Sequence, residues 1–214
     1  MADTTAMSAV SGEREMTRLA VLDFGMGNLR SVAKALERVG ATVDVTPSVP
    51  PDADALVVPG QGAFASCLVN LGPAGRDSIA SWIASGRPYL GICLGFQVLF
   101  ESSQEGGGPG LGHFEGKVVR FPDGLKIPHI GWNEVRPSVD AGLFAGIDAG
   151  TRFYFCHSFY PDASPGVVSA RTDYGVEFAC AASRENVHAV QFHPEKSGEP
   201  GLALLANFVR EAAA

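Results

Sequence analysis

The sequence predicts an α/β fold: a three-layer sandwich with a central, mainly parallel sheet, helices on both faces and antiparallel additions. Three observations predict it. Short apolar runs alternate with stretches whose apolar residues recur at helical spacing, glycine and proline punctuate the junctions, and the second half changes to closely spaced short apolar runs. Alternation of the first kind requires crossover helices between parallel strands, whereas closely spaced strands pair through tighter connections.

Leu19 to Asp23 reads as the first strand, Gly25-Met26-Gly27 as its loop, and Leu29, Val32, Ala33 and Leu36 as the apolar stripe of the first helix. Strands follow over Ala41 to Thr46 and Ala55 to Val58, then helices over Ala63 to Leu71 and Asp77 to Ser85, then a strand over Tyr89 to Ile92. Beyond the glycine-rich loop from Gly106 to Gly112, strands are expected over Val118 to Phe121, Thr151 to Phe155, Val167 to Arg171, Glu177 to Ala181 and Val187 to Phe192. Leu202, Leu205, Ala206 and Val209 mark a closing helix. No internal repeat is present, and the reading is one domain over residues 18–214 behind a disordered tail, 1–17.

Composition narrows the function classes. With 214 residues, 46% of them hydrophobic, the chain can bury a substantial core. Sixteen Lys and Arg against 23 Asp and Glu leave a net charge of −7, which repels phosphate backbones, so no nucleic acid is expected as a partner. The four cysteines show neither metal-ligand spacing nor a disulfide framework, so no metal is expected and a reducing, cytoplasmic setting is. No secretory signal and no apolar run of transmembrane length appears, so no membrane is expected either.

Gly91-Ile92-Cys93-Leu94-Gly95 carries the chemistry. Glycines flanking a thiol at the end of an apolar strand form the pattern of a nucleophile elbow, a strained strand-to-helix turn that projects the reactive atom. A free thiol is only slightly ionised at neutral pH, so the thiolate needs help. A helix start at Cys93 contributes at most about 2 kcal/mol, and a neighbouring base must supply the rest. Val190 to Glu195, at the end of another apolar strand, offers that base in His193. Pro194 favours an extended His193, and residues two apart on an extended chain face the same way, which directs Glu195 at the imidazole. Cys93, His193 and Glu195 are therefore the candidate catalytic triad. Amides of Gly60, Gln61 and Leu94 are candidate oxyanion donors, since glycines admit close backbone approach. No cofactor is called for. Cys67, Cys156 and Cys180, in apolar segments, read as small buried hydrophobes, and the Phe153-Tyr154-Phe155 run and Trp132 as ordinary core. His113 and His188 read as structural or solvated, and His129 stays open.

These motifs resemble the class I glutamine amidotransferases, in which Gly-x-Cys-x-Gly and His-Pro-Glu carry the catalytic groups. Segments Asp23 to Ser31, Ile127 to Asn133, His157 to Tyr160 and His193 to Ser197 narrow the resemblance to the glutaminase subunits of imidazole glycerol phosphate synthase, from about Leu19 to Arg210. Phe24 and Phe159 stand where tyrosine is usual, Phe96 where methionine is common and Cys156 where valine is common. The resemblance implies a class I amidotransferase fold and hydrolysis of L-glutamine to L-glutamate and ammonia through a thioester on Cys93. It implies glutamine contacts from Gly60, Gly62, Gln97, His157, Ser158 and Phe159. It also implies a heterodimer with a cyclase subunit shaped as a (β/α)8 barrel, which receives the ammonia, with Asn28, Trp132 and Lys196 at the contact. Alternatives on the same scaffold are a stand-alone γ-glutamyl hydrolase, the glutaminase of pyridoxal phosphate synthesis and a non-catalytic binding subunit; the last expects a broken triad, and none of the three members is missing.

Overall fold

The computed structural model describes residues 16–138 and 142–214; the expected tail lies outside the described residues up to position 15. Nine strands form the main sheet. In chain order its parallel members are β1 (Arg18–Leu22), β2 (Thr42–Thr46), β3 (Ala55–Gly60), β4 (Tyr89–Cys93) and β12 (Val187–Val190), which pair as β2-β1-β3-β4-β12. The antiparallel members β11 (Glu177–Arg184), β10 (Val168–Asp173), β7 (His129–Pro137) and β8 (Thr151–His157) extend the sheet outward from β12 in that order. A three-stranded sheet of β5 (Phe100–Ser103), β6 (Phe114–Arg120) and β9 (Phe159–Ala163) stands apart from it.

Side chains alternate faces along each strand, and the core divides accordingly. Leu19, Val21, Ala55 and Val57 pack into one apolar cluster with Val32 and Leu36 of α1 (Leu29–Arg38) and Leu204, Leu205 and Phe208 of α4 (Gly198–Ala212). Ala20, Leu22, Leu56 and Val58 pack into the other with Cys67, Leu68, Ile79 and Trp82 of α2 (Phe64–Ala84). The expected three layers result. The expected break between two helices is also present: Gly72, at φ 58° and ψ 177°, interrupts α2 ahead of Pro73, which lacks the N–H a continuous helix needs.

Differences fall mainly in the second half. β5, β7 and β9 are strands that periodicity does not announce, because they are partly exposed and carry residues unfavourable in strands, such as Gly131, Asn133 and Pro161. Cys156 is exposed rather than buried. Phe153, Phe155 and His157 turn inward on β8, and period-two alternation therefore sends Cys156 out. Trp132 is likewise no core residue, at 54% exposure.

Candidate active site

Parallel strands bring their carboxyl ends to one edge, and there the sequence motifs meet. Gly60 at the end of β3 lies in register with Cys93 at the end of β4, and Val190 at the end of β12 pairs with Ile92. Cys93 adopts φ 56° and ψ −102°, a conformation that costs an L-residue energy and turns the chain abruptly into α3 (Leu94–Gln97). The turn leaves no room for side chains at its flanks. A Cβ at Gly95 would stand 1.8 Å from the Val58 carbonyl oxygen, and one at Gly60 would stand 2.8 Å from the Leu94 Cβ. The elbow is thus present, but α3 spans four residues only. Few peptide dipoles align behind the thiol, so its environment is set by side chains more than by the helix.

His193 supplies the main one. Its backbone is extended (φ −104°, ψ 95°), yet Pro194–Lys196 then closes into a 3-10 turn. Glu195 therefore reaches the ring across a turn rather than along an extended chain, which corrects the expected route while preserving the pair: His193 Nδ1 donates to Glu195 Oε1 at 2.9 Å. Both side chains are almost completely buried, at 2% and 1% exposure. Burial by itself disfavours the imidazolium, but the hydrogen bond and charge of Cys93, followed by those of Glu195, outweigh it and raise the His193 pKa to about 10. Histidine held cationic in this position is the natural partner of a thiolate.

A cavity of about 280 Å³ opens here. Cys93, Leu94, Gln97, His193, Gln61 and Gly62 line it together with Lys196 and the 156–159 segment. That volume sits at the small end of small-molecule sites. Gly60 does not line the cavity but stands directly beside Cys93 on the neighbouring strand. Asn28 precedes α1, in the loop whose Gly27 approaches the Gly60 backbone. Trp132 and Lys196 meet over one ring: Trp132 packs edge-on to Tyr154 at 6.2 Å, and Lys196 Nζ lies 5.8 Å from the same centroid. Ile130, 58% exposed and paired with Cys156, extends this apolar strip beside the cavity.

Residues 20–212 match the family described as glutamine amidotransferase class-I. The chain belongs to that family. Among class I amidotransferase relatives it is 50% identical, over 201 residues, to the protein named imidazole glycerol phosphate synthase subunit HisH of Acinetobacter baylyi, covering 91% of this chain and 98% of that protein. It is also 50% identical, over 194 residues, to the protein of the same name from Methanothermobacter thermautotrophicus, covering 89% and 97%. The structure titled PurLQS from Thermotoga maritima shares the amidotransferase fold at a TM-score of 0.75 and 20% identity, over 92% of this chain and 99% of that one.

Two residues beside the site, Gln191 and His129, lie within the sequence motifs but receive no role from them. Gln191, wholly buried, donates from Nε2 to Cys93 Sγ at 3.6 Å. His129 and His157 bond each other at 3.0 Å, with burial lowering their pKa values to about 4 and about 3. The expected glutamine contact at His157 is through the 156–159 backbone; its ring is committed to the Phe159 carbonyl at 2.8 Å and to His129, which leaves that backbone for the cavity. His188 is structural, held by Ser183 and Glu211. A polar residue inside an apolar run, as Gln191 is between Val190 and Phe192, is the one signal in the sequence that could have found it.

Proposed function

We propose that this chain is the glutaminase subunit of imidazole glycerol phosphate synthase, acting in histidine biosynthesis through a single amidotransferase domain over residues 18–214. The observation that carries the reading is a cavity lined by both Cys93 and His193, with Glu195 bonded to the far side of the ring. The two relatives at 50% identity, both named as HisH subunits, support the narrower assignment.

In this reading the Cys93 thiolate attacks the side-chain carbonyl carbon of L-glutamine. Charge gathers on the carbonyl oxygen, where the Leu94 amide and those of Gly60 and Gln61 would receive it. His193, cationic at neutral pH, gives its Nε2 proton to the departing nitrogen, so ammonia leaves and a glutamyl thioester stays on Cys93. Neutral His193 then takes a proton from water, the hydroxide opens the thioester, and glutamate departs with the thiolate and imidazolium restored. Glu195 keeps Nδ1 protonated throughout and so reserves Nε2 for the substrate. Gln97, Gly62 and the 157–159 backbone would hold the rest of glutamine.

Ammonia must not escape as ammonium, and the apolar strip of Ile130, Trp132, Tyr154 and Cys156 beside the cavity suits a covering partner. That partner is a cyclase subunit with a (β/α)8 barrel, contacted by Asn28, Trp132 and Lys196. The proposed setting is a cytoplasmic heterodimer; among the described residues no helix is long and apolar enough to cross a membrane.

The test compares glutamine hydrolysis by the chain alone, with the cyclase, and with the cyclase plus its nucleotide substrate, in wild type and Cys93→Ala. Stepwise stimulation lost entirely in Cys93→Ala is expected. Turnover that survives the substitution would remove the nucleophile; full activity without the cyclase would favour a stand-alone hydrolase.

A further inference from the structure

A chain of hydrogen bonds with only one possible direction ends on the nucleophile. It begins at the Phe159 carbonyl oxygen, which can only accept. Gln97 Nε2 lies 3.0 Å from that oxygen, which identifies the Gln97 atom there as the amide nitrogen. The same nitrogen lies 3.0 Å from the Gln191 amide, and with two protons to give it donates there too, so the Gln191 atom facing it is Oε1. Gln191 Nε2 is thereby turned the other way, to Cys93 Sγ at 3.6 Å, within sulfur hydrogen-bond range.

The fold explains why Gln191 stands there. β12 runs parallel to β4 with Val190 opposite Ile92, so the next residue of each strand, Gln191 and Cys93, are neighbours at the sheet edge. The Gln191 backbone is pinned from the other side, where its N–H donates to the Cys180 carbonyl at 2.8 Å. Gln191 is 0% exposed and Gln97 4%, so water does not compete for these bonds. A carboxamide buried just past the end of an apolar strand is costly unless its groups are satisfied. Here satisfying it aims a donor at sulfur.

We propose that Gln191 is a catalytic residue that stabilises the Cys93 thiolate through its Nε2–H, and that Gln97 and the Phe159 carbonyl act as the clamp that fixes its orientation. The assignment rests on Cys93 being the nucleophile of the proposed function. It gives Gln97 a role that exists before glutamine arrives: a substrate that draws on Gln97 also loosens the clamp on the thiolate.

Other charged or titratable groups near the thiol are Cys67 from α2, His193 beyond β12, Cys156 and His157 from β8, and Glu105 and Lys196 at the cavity wall. None of them is altered by the variants that test the proposal. The full-length chain is reacted with iodoacetamide across pH, and modification is read on the Cys93 peptide by mass spectrometry, which separates it from exposed Cys156. Gln191→Met keeps the side chain's length and removes the donor. It is expected to raise the midpoint of Cys93 alkylation by about one pH unit, so that reactivity below the midpoint falls about tenfold. Gln97→Met releases the clamp without touching sulfur and is expected to raise the midpoint in the same direction by less. A midpoint unmoved in Gln191→Met, in a chain that melts as wild type does, overturns the donor. A midpoint raised by Gln191→Met but unmoved by Gln97→Met overturns the clamp, and an unmoved midpoint in a folded Gln97→Met chain counts against both if Gln191→Met does not fold. Because alkylation needs no glutamine, these failures are distinct from failure of the proposed function, which would appear as no glutamine hydrolysis by the wild-type chain with the cyclase, or as hydrolysis that survives Cys93→Ala.

Discussion

Replacing Glu195 by glutamine isolates a charge without removing a hydrogen bond. The amide oxygen can still accept from His193 Nδ1, now at 2.9 Å from Glu195 Oε1, but the negative charge is gone. A hydrogen bond to a charged group contributes about 1.5–3 kcal/mol and a neutral one about 0.5–1.5, a difference of about 1–1.5 kcal/mol. With the two side chains at 2% and 1% exposure, solvent screening does not reduce it. At 1.36 kcal/mol per pH unit the His193 midpoint should fall by about one unit. The wild-type midpoint of about 10 becomes one near 9 in the variant. The sign follows from the raised folded value: imidazolium stabilises the fold fully below about 6.5, the unfolded value, and loses that contribution as pH climbs toward about 10. Glu195→Gln closes this window early, at its alkaline end. NMR titration of the His193 ring in the isolated chain reads the midpoint directly. Glutamine turnover in the complex should change little at neutral pH, where His193 stays cationic, while the alkaline limb of its pH profile moves down by about one unit. A midpoint that stays put, or rises, in a folded variant would refute the view that the Glu195 charge holds the imidazolium.

Gly95→Ala would drive a methyl against the Val58 carbonyl at 1.8 Å, and the obstacle is backbone rather than a flexible side chain. It should destabilise the fold by about 1–3 kcal/mol, lowering the melting temperature by roughly 2–12 °C in a calorimetric scan; an unchanged melt would mean the elbow can open. Lys196→Ala removes a cation 5.8 Å from the Tyr154 ring, worth about 0.5–1 kcal/mol to the fold, so melting should barely change. Binding to the cyclase, or transfer of ammonia, should weaken about tenfold by calorimetric titration or coupled assay, and equal effects on folding and association would argue against an interface role.

Much of the parallel half was legible because its strands are buried on both faces. Ala55–Gly60 and Tyr89–Cys93 are covered above and below, so they appear as unbroken apolar runs ending in glycine or the elbow. The triad was legible for a different reason: each member sits in a short motif whose local geometry is dictated by its glycines or its proline. The antiparallel half was harder to read. β7 places Trp132 and Ile130 on an exposed face while burying His129 and Val135, so large apolar residues point both ways and composition alone misassigns them. Cys156 was misjudged by the same logic, since only its pairing with Ile130 reveals which way it points.

Chain order alone determined which residues could react: a thiol between glycines, an imidazole followed by proline and a carboxylate, and enough apolar surface to hold a sheet between helices. Tertiary structure decided what surrounds them. Gln191 faces Cys93 across 98 residues of chain because two parallel strands end side by side, and the orientation of its amide is settled by a carbonyl on a third element. Hydrogen-bond direction and burial depend on neighbours in space, and strand register, not local spacing, chooses those neighbours.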